Sequence, residues 1–445
     1  MAGPLRYAFM KTSSDAIIIG AGVIGAATAF ELCKRGYRTL NIDKLPAAGY
    51  GPTSSSCSIV RAHYSSWDGV AMAHEGFSYW RDWPNYLEVD GDDHEIAKYM
   101  QCGTVLLKSQ TGHHEKVLEH YRNLGVDHEE WDTDTLKERV PYYDVHAFWP
   151  PSRPEEGDFW RTPEEELEGA IYTSGSGYVN DPQLATRDLQ LAAEAKGATF
   201  LFDETIAQIR RSGGRVRGVT LGSGQQIDAP IVVNVAGPHS FVINRMAGVE
   251  ETMNIKTRAL RHEVHIVPAP PGVDYEHEGF HTSDGDQGIY FRPESGNNIL
   301  IGSEDPPCDP QVWVEEPDVF DRAVTKTQYE AQVYRVARRI PGLQLPSEAR
   351  GLADLYDVSD DWIPLYDRSD LGGFYMAVGT SGNQFKNAPV VGHLMAELID
   401  ACEDGQDHDA SPVQVKVPYS GVVLDAGFYS RNRQINPNSS FSVNG

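Results

Sequence analysis

Gly20-Ala21-Gly22-Val23-Ile24-Gly25 stands between an apolar run, Ala16-Ile17-Ile18-Ile19, and a helix-forming stretch from Ala26 to Arg35. The run has the length and β-branched content of a buried parallel strand, and Gly36 is placed to stop the helix as its C′ residue. Thr39-Leu40-Asn41-Ile42-Asp43 then reads as a second strand that closes on an acid. Strand, glycine turn, helix, strand and acid in this order are the parts of a dinucleotide-binding βαβ unit. Gly20 allows the tight turn, Gly22 lets a pyrophosphate approach the backbone, and Gly25 lets the helix lie on the strand. The helix start, with Val23 and Ile24, offers free N–H groups and a positive dipole end to the phosphates. Asp43, 18 residues beyond Gly25, is spaced to accept the hydroxyls of an adenosine ribose.

The rest of the chain bounds what can be built around that unit. At 445 residues it has room for two or three domains, and 40% hydrophobic with 23% charged residues is ordinary globular composition. A formal charge of −26 argues against nucleic acid and anionic membranes as partners. Cys33, Cys57, Cys102, Cys308 and Cys402 are scattered and never form a C-x-x-C pair. That usage suits a reducing compartment and provides neither a disulfide framework nor a metal site. Met1 to Ser14 has no apolar core, so no secretory signal is expected. The longest apolar window, Ala16 to Phe30, is broken by glycines and is not a membrane span. The expected location is cytoplasmic.

Downstream, Gly49 to Ser58 reads as a Gly/Ser/Thr-rich loop, Trp67 to Trp83 as a helix, and Gln101 to Lys108 as a strand. Residues 110 to 165 look irregular or inserted. Asp181 and Pro182 cap a helix that runs to Lys196 and stops at Gly197. Strands are expected at Thr199–Phe202, Val216–Leu221 and Ile231–Gly237. His262–Val267, Gly288–Arg292 and Asn298–Gly302 then alternate as an antiparallel sheet. A helix over Gln328–Arg339, a strand over Gly372–Val378 and a helix over Ala388–Asp400 follow, with a polar tail from Ala401 expected to wrap the surface.

This layout resembles the flavin-dependent amine and amino-acid oxidoreductases of the D-amino-acid oxidase superfamily, and within them the sarcosine oxidase and dimethylglycine dehydrogenase branch. Four stretches carry the resemblance: the glycine unit with Asp43, Ser58-Ile59-Val60-Arg61-Ala62-His63-Tyr64, Val235-Ala236-Gly237-Pro238, and Gly379-Thr380-Ser381-Gly382-Asn383-Gln384-Phe385-Lys386. It implies an α/β (α+β overall) chain: a Rossmann-type FAD-binding domain interleaved with an antiparallel-sheet substrate domain. The implied boundaries are 13–95 plus 165–250 plus 340–400 for FAD, 96–164 plus 251–339 for substrate, and 401–445 for the tail. The implied cofactor contacts are Gly20, Gly22, Val23, Ile24, Gly25, Asp43, Lys44, Ser55, Ser56, Ile206, Ala236, Gly237, Gly379, Ser381, Gly382, Asn383, Gln384, Phe385 and Lys386.

The family uses an arginine and a lysine at the positions of Arg61 and Lys386 to hold a substrate carboxylate over the flavin. A planar fork and a point charge suit one carboxylate in a dry pocket. His63 and Tyr64 would sit close to the substrate amine, or His63 would be a hydrogen-bonded structural residue. Tyr290 and Arg292 would line the pocket ceiling, with Arg292 a second anion contact or a sheet-edge residue. The implied reaction is oxidation of a carboxylate-bearing primary or secondary amine by hydride transfer to flavin N5, followed by imine hydrolysis. Two departures matter. Gly351-Leu352-Ala353-Asp354-Leu355-Tyr356 lacks the cysteine that carries flavin covalently in monomeric sarcosine oxidases, so noncovalent FAD is expected. Asn298-Ile299-Leu300-Ile301-Gly302 lacks the lysine those oxidases place beside the flavin for oxygen, so the electron acceptor is oxygen or another carrier. A 2-hydroxy-acid dehydrogenase, a nicotinamide enzyme on the same βαβ unit, and a flavoprotein subunit of a larger complex are the competing readings.

Overall fold

A computed structural model describes residues 13–89 and 95–445. Most of Met1–Ser14, read above for a leader, lies outside the described residues. The first strand, Ala16–Ile19, is buried along its whole length and pairs in parallel with Thr39–Ile42 on one side and Ile231–Asn234 on the other. Its alternation sorts the core: Ala16 and Ile18 face one hydrophobic cluster, Ile17 and Ile19 another. Six strands make this sheet, in the order Leu365–Arg368, Phe374–Val378, Ile231–Asn234, Ala16–Ile19, Thr39–Ile42, Thr199–Leu201. The helix Val23–Lys34 packs between Pro182–Ala195 and Ala388–Glu403, and residues of all three join the cluster on the Ile18 face. The Ile17 face is covered by a three-stranded sheet, Ile206–Ser212, Arg215–Leu221 and Gln226–Asp228, and by the helix Ser240–Ala247.

The second large sheet has nine strands built around Thr257–Pro268, which pairs antiparallel with Asn298–Ser303, Val312–Val314 and Gly351–Ser359. Ile289–Glu294 and His281–Asp284 extend it antiparallel, and Thr104–Leu107 joins His281–Asp284 in parallel. The helix Lys326–Arg339, capped by Thr325, lies against it. Arg339 ends that helix in a fully buried ion pair with Asp284 at 2.8 Å, with Asp286 3.5 Å from the same guanidinium.

The structure corrects the expectations in three places. Residues 110–165 are not simply irregular: they hold the helices His113–Leu124 and Thr133–Arg139 and the strand Glu129–Trp131. The single helix expected over Trp67–Trp83 is Trp67–Arg81 followed by a short Trp83–Leu87, with Pro84 in the first turn of the second piece. The tail does not merely wrap the surface. Val413, Val415, Val417, Leu424 and Tyr429 are buried in the main cluster, because Gln414–Lys416 and Val423–Asp425 form a hairpin against the helix layer.

Candidate active site

One cavity of about 650 Å³ runs from the Gly20–Gly25 turn to Lys386 and is walled by residues from both large sheets. At its first end the glycine turn is tight for a steric reason. Gly20 has φ +122°, a Cβ there would stand 2.4 Å from the Val235 carbonyl oxygen, and one on Gly25 would stand 2.4 Å from Gly20 O. Asn41, a polar residue in the buried second strand, braces the turn by donating to the carbonyls of Gly20 and Gly25 at 3.2 and 3.1 Å. The helix starts at Gly22 with no side-chain cap, and Thr53 Oγ1 accepts from Val23 N at 3.2 Å. An uncapped helix start facing a cavity, with 3.1 Å between a Cβ on Gly22 and Thr53, is a cradle that fits a pyrophosphate. Asp43 is held at the wall by Ala21 N and Leu45 N, at 2.7 and 2.9 Å. Lys44 reaches across to Asp318 and to His239 Nε2, tying the second strand to the loop at 317–322.

Ser55, Ser56, Ile206, Ala236 and Gly237 all reach the same wall, as do Gly382, Asn383, Gln384, Phe385 and Lys386. Gly379 and Ser381 do not; they shape the turn from beneath. Gly379 N and Ser381 N donate to the side chain and carbonyl of Asp357, at 2.6 and 2.7 Å, and burial pushes the Asp357 carboxyl up to about 7. Gly382, at φ +68°, lies so close to Tyr356 that a Cβ would come within 2.4 Å of its ring. Phe385 stacks on Trp80, whose indole N–H donates to the Lys386 carbonyl at 2.7 Å. The helix Trp67–Arg81, which carries Trp80, therefore fixes the lysine's backbone.

Arg61 and Lys386, 325 residues apart, come together at Tyr64: each cation lies 4.9 Å from the centre of its ring. Tyr64 Oη and Lys386 Nζ both donate to Asn383 O at 2.7 Å. Both cations are buried, and burial, then the Arg61 charge, holds the Lys386 ammonium well below its ordinary range. Tyr64 itself is behind the wall, with both cations against its ring, and burial pushes its phenol up to about 12. His63 is also behind the wall. It stacks on His281 at 5.9 Å, lies edge-on to His113 at 6.4 Å, and has no hydrogen-bond partner for either ring nitrogen among the described residues. Burial and then Arg61 keep it neutral.

Tyr290 lines the cavity with its hydroxyl 3.3 Å from Cys57 Sγ, and burial holds that thiol protonated. Arg292 is turned away from the cavity. Its guanidinium donates to Cys57 O at 2.9 Å, pairs with Glu294 at 3.0 Å and covers the Tyr178 ring at 4.3 Å, which absorbs the fork in structural contacts. Sequence reasoning missed Thr53, Glu304, Asp354, Val443 and Asn444 on the wall. Asp354 accepts from Ser55 at 2.6 Å, and Val443 O accepts from Arg61 Nη2 at 2.6 Å. Neither contact has a local signature, because each joins residues about 300 or more positions apart.

Residues 15–398 match the protein family described as FAD dependent oxidoreductase. Among curated relatives, a glycine oxidase of Geobacillus kaustophilus is 24% identical over 401 residues, covering 88% of this chain and 94% of that protein. A monomeric sarcosine oxidase of Streptomyces avermitilis is 23% identical over 403 residues, covering 87% and 94%. In fold, the chain is similar to L-proline dehydrogenase from P. horikoshii, with a TM-score of 0.73 at 21% identity over 95% of this chain and 98% of that one. The glycine oxidase structure from Geobacillus kaustophilus superposes with a TM-score of 0.71 at 21% identity, covering 96% of this chain and 100% of the other.

Proposed function

The chain belongs to the FAD-dependent oxidoreductase family, and from that premise we propose that it oxidises a small amine bearing a carboxylate, of the amino-acid or N-methyl amino-acid class. The observation that carries this reading is the pairing of Arg61 with Lys386 around Tyr64 at one end of the cavity. Two buried cations beside an apolar wall suit one carboxylate: the guanidinium offers a fork, the ammonium a point charge. The names of the relatives, glycine oxidase and monomeric sarcosine oxidase, support the same class.

Bound FAD supplies the hydride acceptor; the Gly20–Gly25 turn with Asp43 would hold its dinucleotide part and Gly382–Lys386 its ring. Arg61 binds the carboxylate once the Val443 carbonyl gives up its Nη2. Lys386, held at Asn383 O, shares that load, and the Tyr64 ring gives both cations a common support. The same positive field favours loss of the proton from a substrate ammonium, which leaves the nitrogen lone pair available as hydride departs from the adjacent carbon. Tyr290, Tyr356 and Phe385 exclude water from that end. The imine product then hydrolyses, giving demethylation or deamination according to which carbon was oxidised.

The lysines on the cavity wall, among the described residues, are Lys44, engaged with Asp318, and Lys386. With none on Asn298–Ser303, an electron carrier rather than rapid use of oxygen is the acceptor we favour. Free thiols at all five cysteines support a reducing, cytoplasmic setting. The test is anaerobic titration of the flavin-loaded protein with glycine, N-methylglycine and L-proline. Bleaching of the flavin band by one of them is the expected result; a band that no amine bleaches, while a 2-hydroxy acid does, overturns the reading.

A further inference from the structure

A second cavity, of about 740 Å³, opens beside the first and is lined by Ser65, His113, Lys116, Trp149 and Phe441 among others. Glu304 and Asn444 belong to the walls of both cavities. Glu304 directly follows the strand Asn298–Ser303, and its backbone N–H donates to Gly288 O at 3.0 Å. The residue is 8% exposed; its carboxylate accepts from Ser283 Oγ, stands beside Asn444 on the shared wall, and makes no ion pair among the described residues. The other carboxylates on the first cavity's wall are placed differently, Glu204 among them, which accepts from Thr205 N and Ser223 N at 3.0 and 3.3 Å. Asp43 and Asp318 belong to the dinucleotide end, Asp354 accepts from Ser55, and Asp357 serves the turn beneath Gly379.

Consecutive residues of one segment lie against Arg61 and Glu304. The Val443 carbonyl accepts from Arg61, and the Asn444 side-chain amide shares the wall of both cavities with Glu304. A carbonyl on the cation and an amide beside the anion, on neighbouring residues, match the polar pattern of an amino acid. We propose that Glu304 receives the substrate's nitrogen while Arg61 takes its carboxylate, so that the site grips both poles of an amino acid and residues 443–444 hold those places until it binds. The proposal rests on the amine reading above and adds the residue that selects for nitrogen. A buried carboxylate without a cationic partner is poorly solvated, and burial pushes this one up to about 7 even with Arg61 pulling it down. An arriving N–H cation supplies the missing counter-charge, which a simple carboxylate cannot.

The test compares Glu304→Gln with wild type, both flavin-loaded and anaerobic. It follows the flavin spectrum against N-methylglycine, glycine and L-proline, and against acetate as a probe with a carboxylate and no nitrogen. In the variant, the Kd of whichever amine bleaches the wild type rises about 30-fold, the loss of one charge-assisted hydrogen bond, while the Kd of acetate is unchanged. Equal weakening of both probes, or of neither, overturns the proposal. If no amine bleaches the wild-type flavin, the amine reading itself fails and this one falls with it; acetate perturbing the spectrum would then show the carboxylate end intact. Should Glu304→Gln lose its flavin, Glu304→Asp makes the same comparison, with a smaller selective loss expected.

Discussion

Lys386→Met separates what the buried ammonium does for catalysis from what it does to the fold. The side chain is buried beside Arg61, and its hydrogen bond goes to Asn383 O, which keeps the Tyr64 hydroxyl when the lysine is gone. No acceptor is orphaned by the change. Replacing buried charges by apolar groups of similar volume stabilises by up to about 4 kcal/mol. Against that stand about 1 kcal/mol for the lost hydrogen bond and about 1 kcal/mol for the lost contact with the Tyr64 ring. A net gain of about 1–2 kcal/mol remains. At about 2.1 cal/mol/K per residue, unfolding 445 residues carries about 0.9 kcal/mol per degree, so Tm rises by about 1–2 °C at pH 7. The pH dependence has a definite sign. Lys386 is depressed below its ordinary 10.5 in the fold, so the unfolded chain binds the extra proton in the window below that value, and wild-type stability rises with pH there. The methionine advantage therefore shrinks as pH approaches 10.5. Thermal unfolding of both proteins at saturating FAD, followed by circular dichroism at pH 7 and at higher pH, reads both effects. A lower Tm for the variant at pH 7, or an advantage that widens with pH, refutes the reasoning.

Arg61→Lys exchanges a fork for a point charge and loses one hydrogen bond to the carboxylate; the amine Kd from anaerobic flavin bleaching should rise about 10- to 100-fold, and an unchanged Kd would remove Arg61 from the clamp. Gly382→Ala puts a Cβ 2.4 Å from the Tyr356 ring at a positive φ, for about 2–4 kcal/mol in all, and flavin content after purification should fall. Gly197→Ala, with φ +103° and nothing within 4 Å, is its control and should keep its flavin; equal loss in both would mean that the Tyr356 contact is irrelevant. Asp284→Asn removes the 2.8 Å charge-assisted hydrogen bond and leaves Arg339 with Asp286 at 3.5 Å as its counter-charge, so stability falls by about 1.5–3 kcal/mol; a thermal shift under one degree would contradict that.

The first βαβ unit was legible because every contact it needs is local or one crossover away: Ala16 to Ile19 pairs with Thr39 to Ile42 in register, and Asp43 ends at the wall as its spacing predicts. The cap at Asp181, which accepts from Leu184 N at 2.9 Å, was legible for the same reason. The family motifs brought Arg61 and Lys386 into one site, which no periodicity could have done. Arg292 shows where such reading stops. Alternation along its strand does not say whether a long side chain bends into a cavity, and here the Cys57 carbonyl, Glu294 and the Tyr178 ring draw it the other way. The helices of residues 113–139 were hidden by their polarity, since His113–Leu124 buries only Val117, Leu118 and Tyr121. Val443 and Asn444 carry no motif at all; their place beside Arg61 follows from the anchoring of their segment, through Arg433 on Asp361 and Ser439 on the Asp361 carbonyl.

The strand order of the nucleotide sheet also sets a timetable for biosynthesis. Ile231–Asn234 lies between Ala16–Ile19 and Phe374–Val378, so its far edge stays open on the ribosome until residue 378 has emerged. The glycine turn of the pyrophosphate cradle emerges more than 300 residues ahead of Lys386 and the turn before it. A chain made only part of that way can thus hold one end of the flavin and not the other. Stable capture waits until Lys386 has emerged, and retention of the yellow cofactor becomes a report that translation has run past that residue.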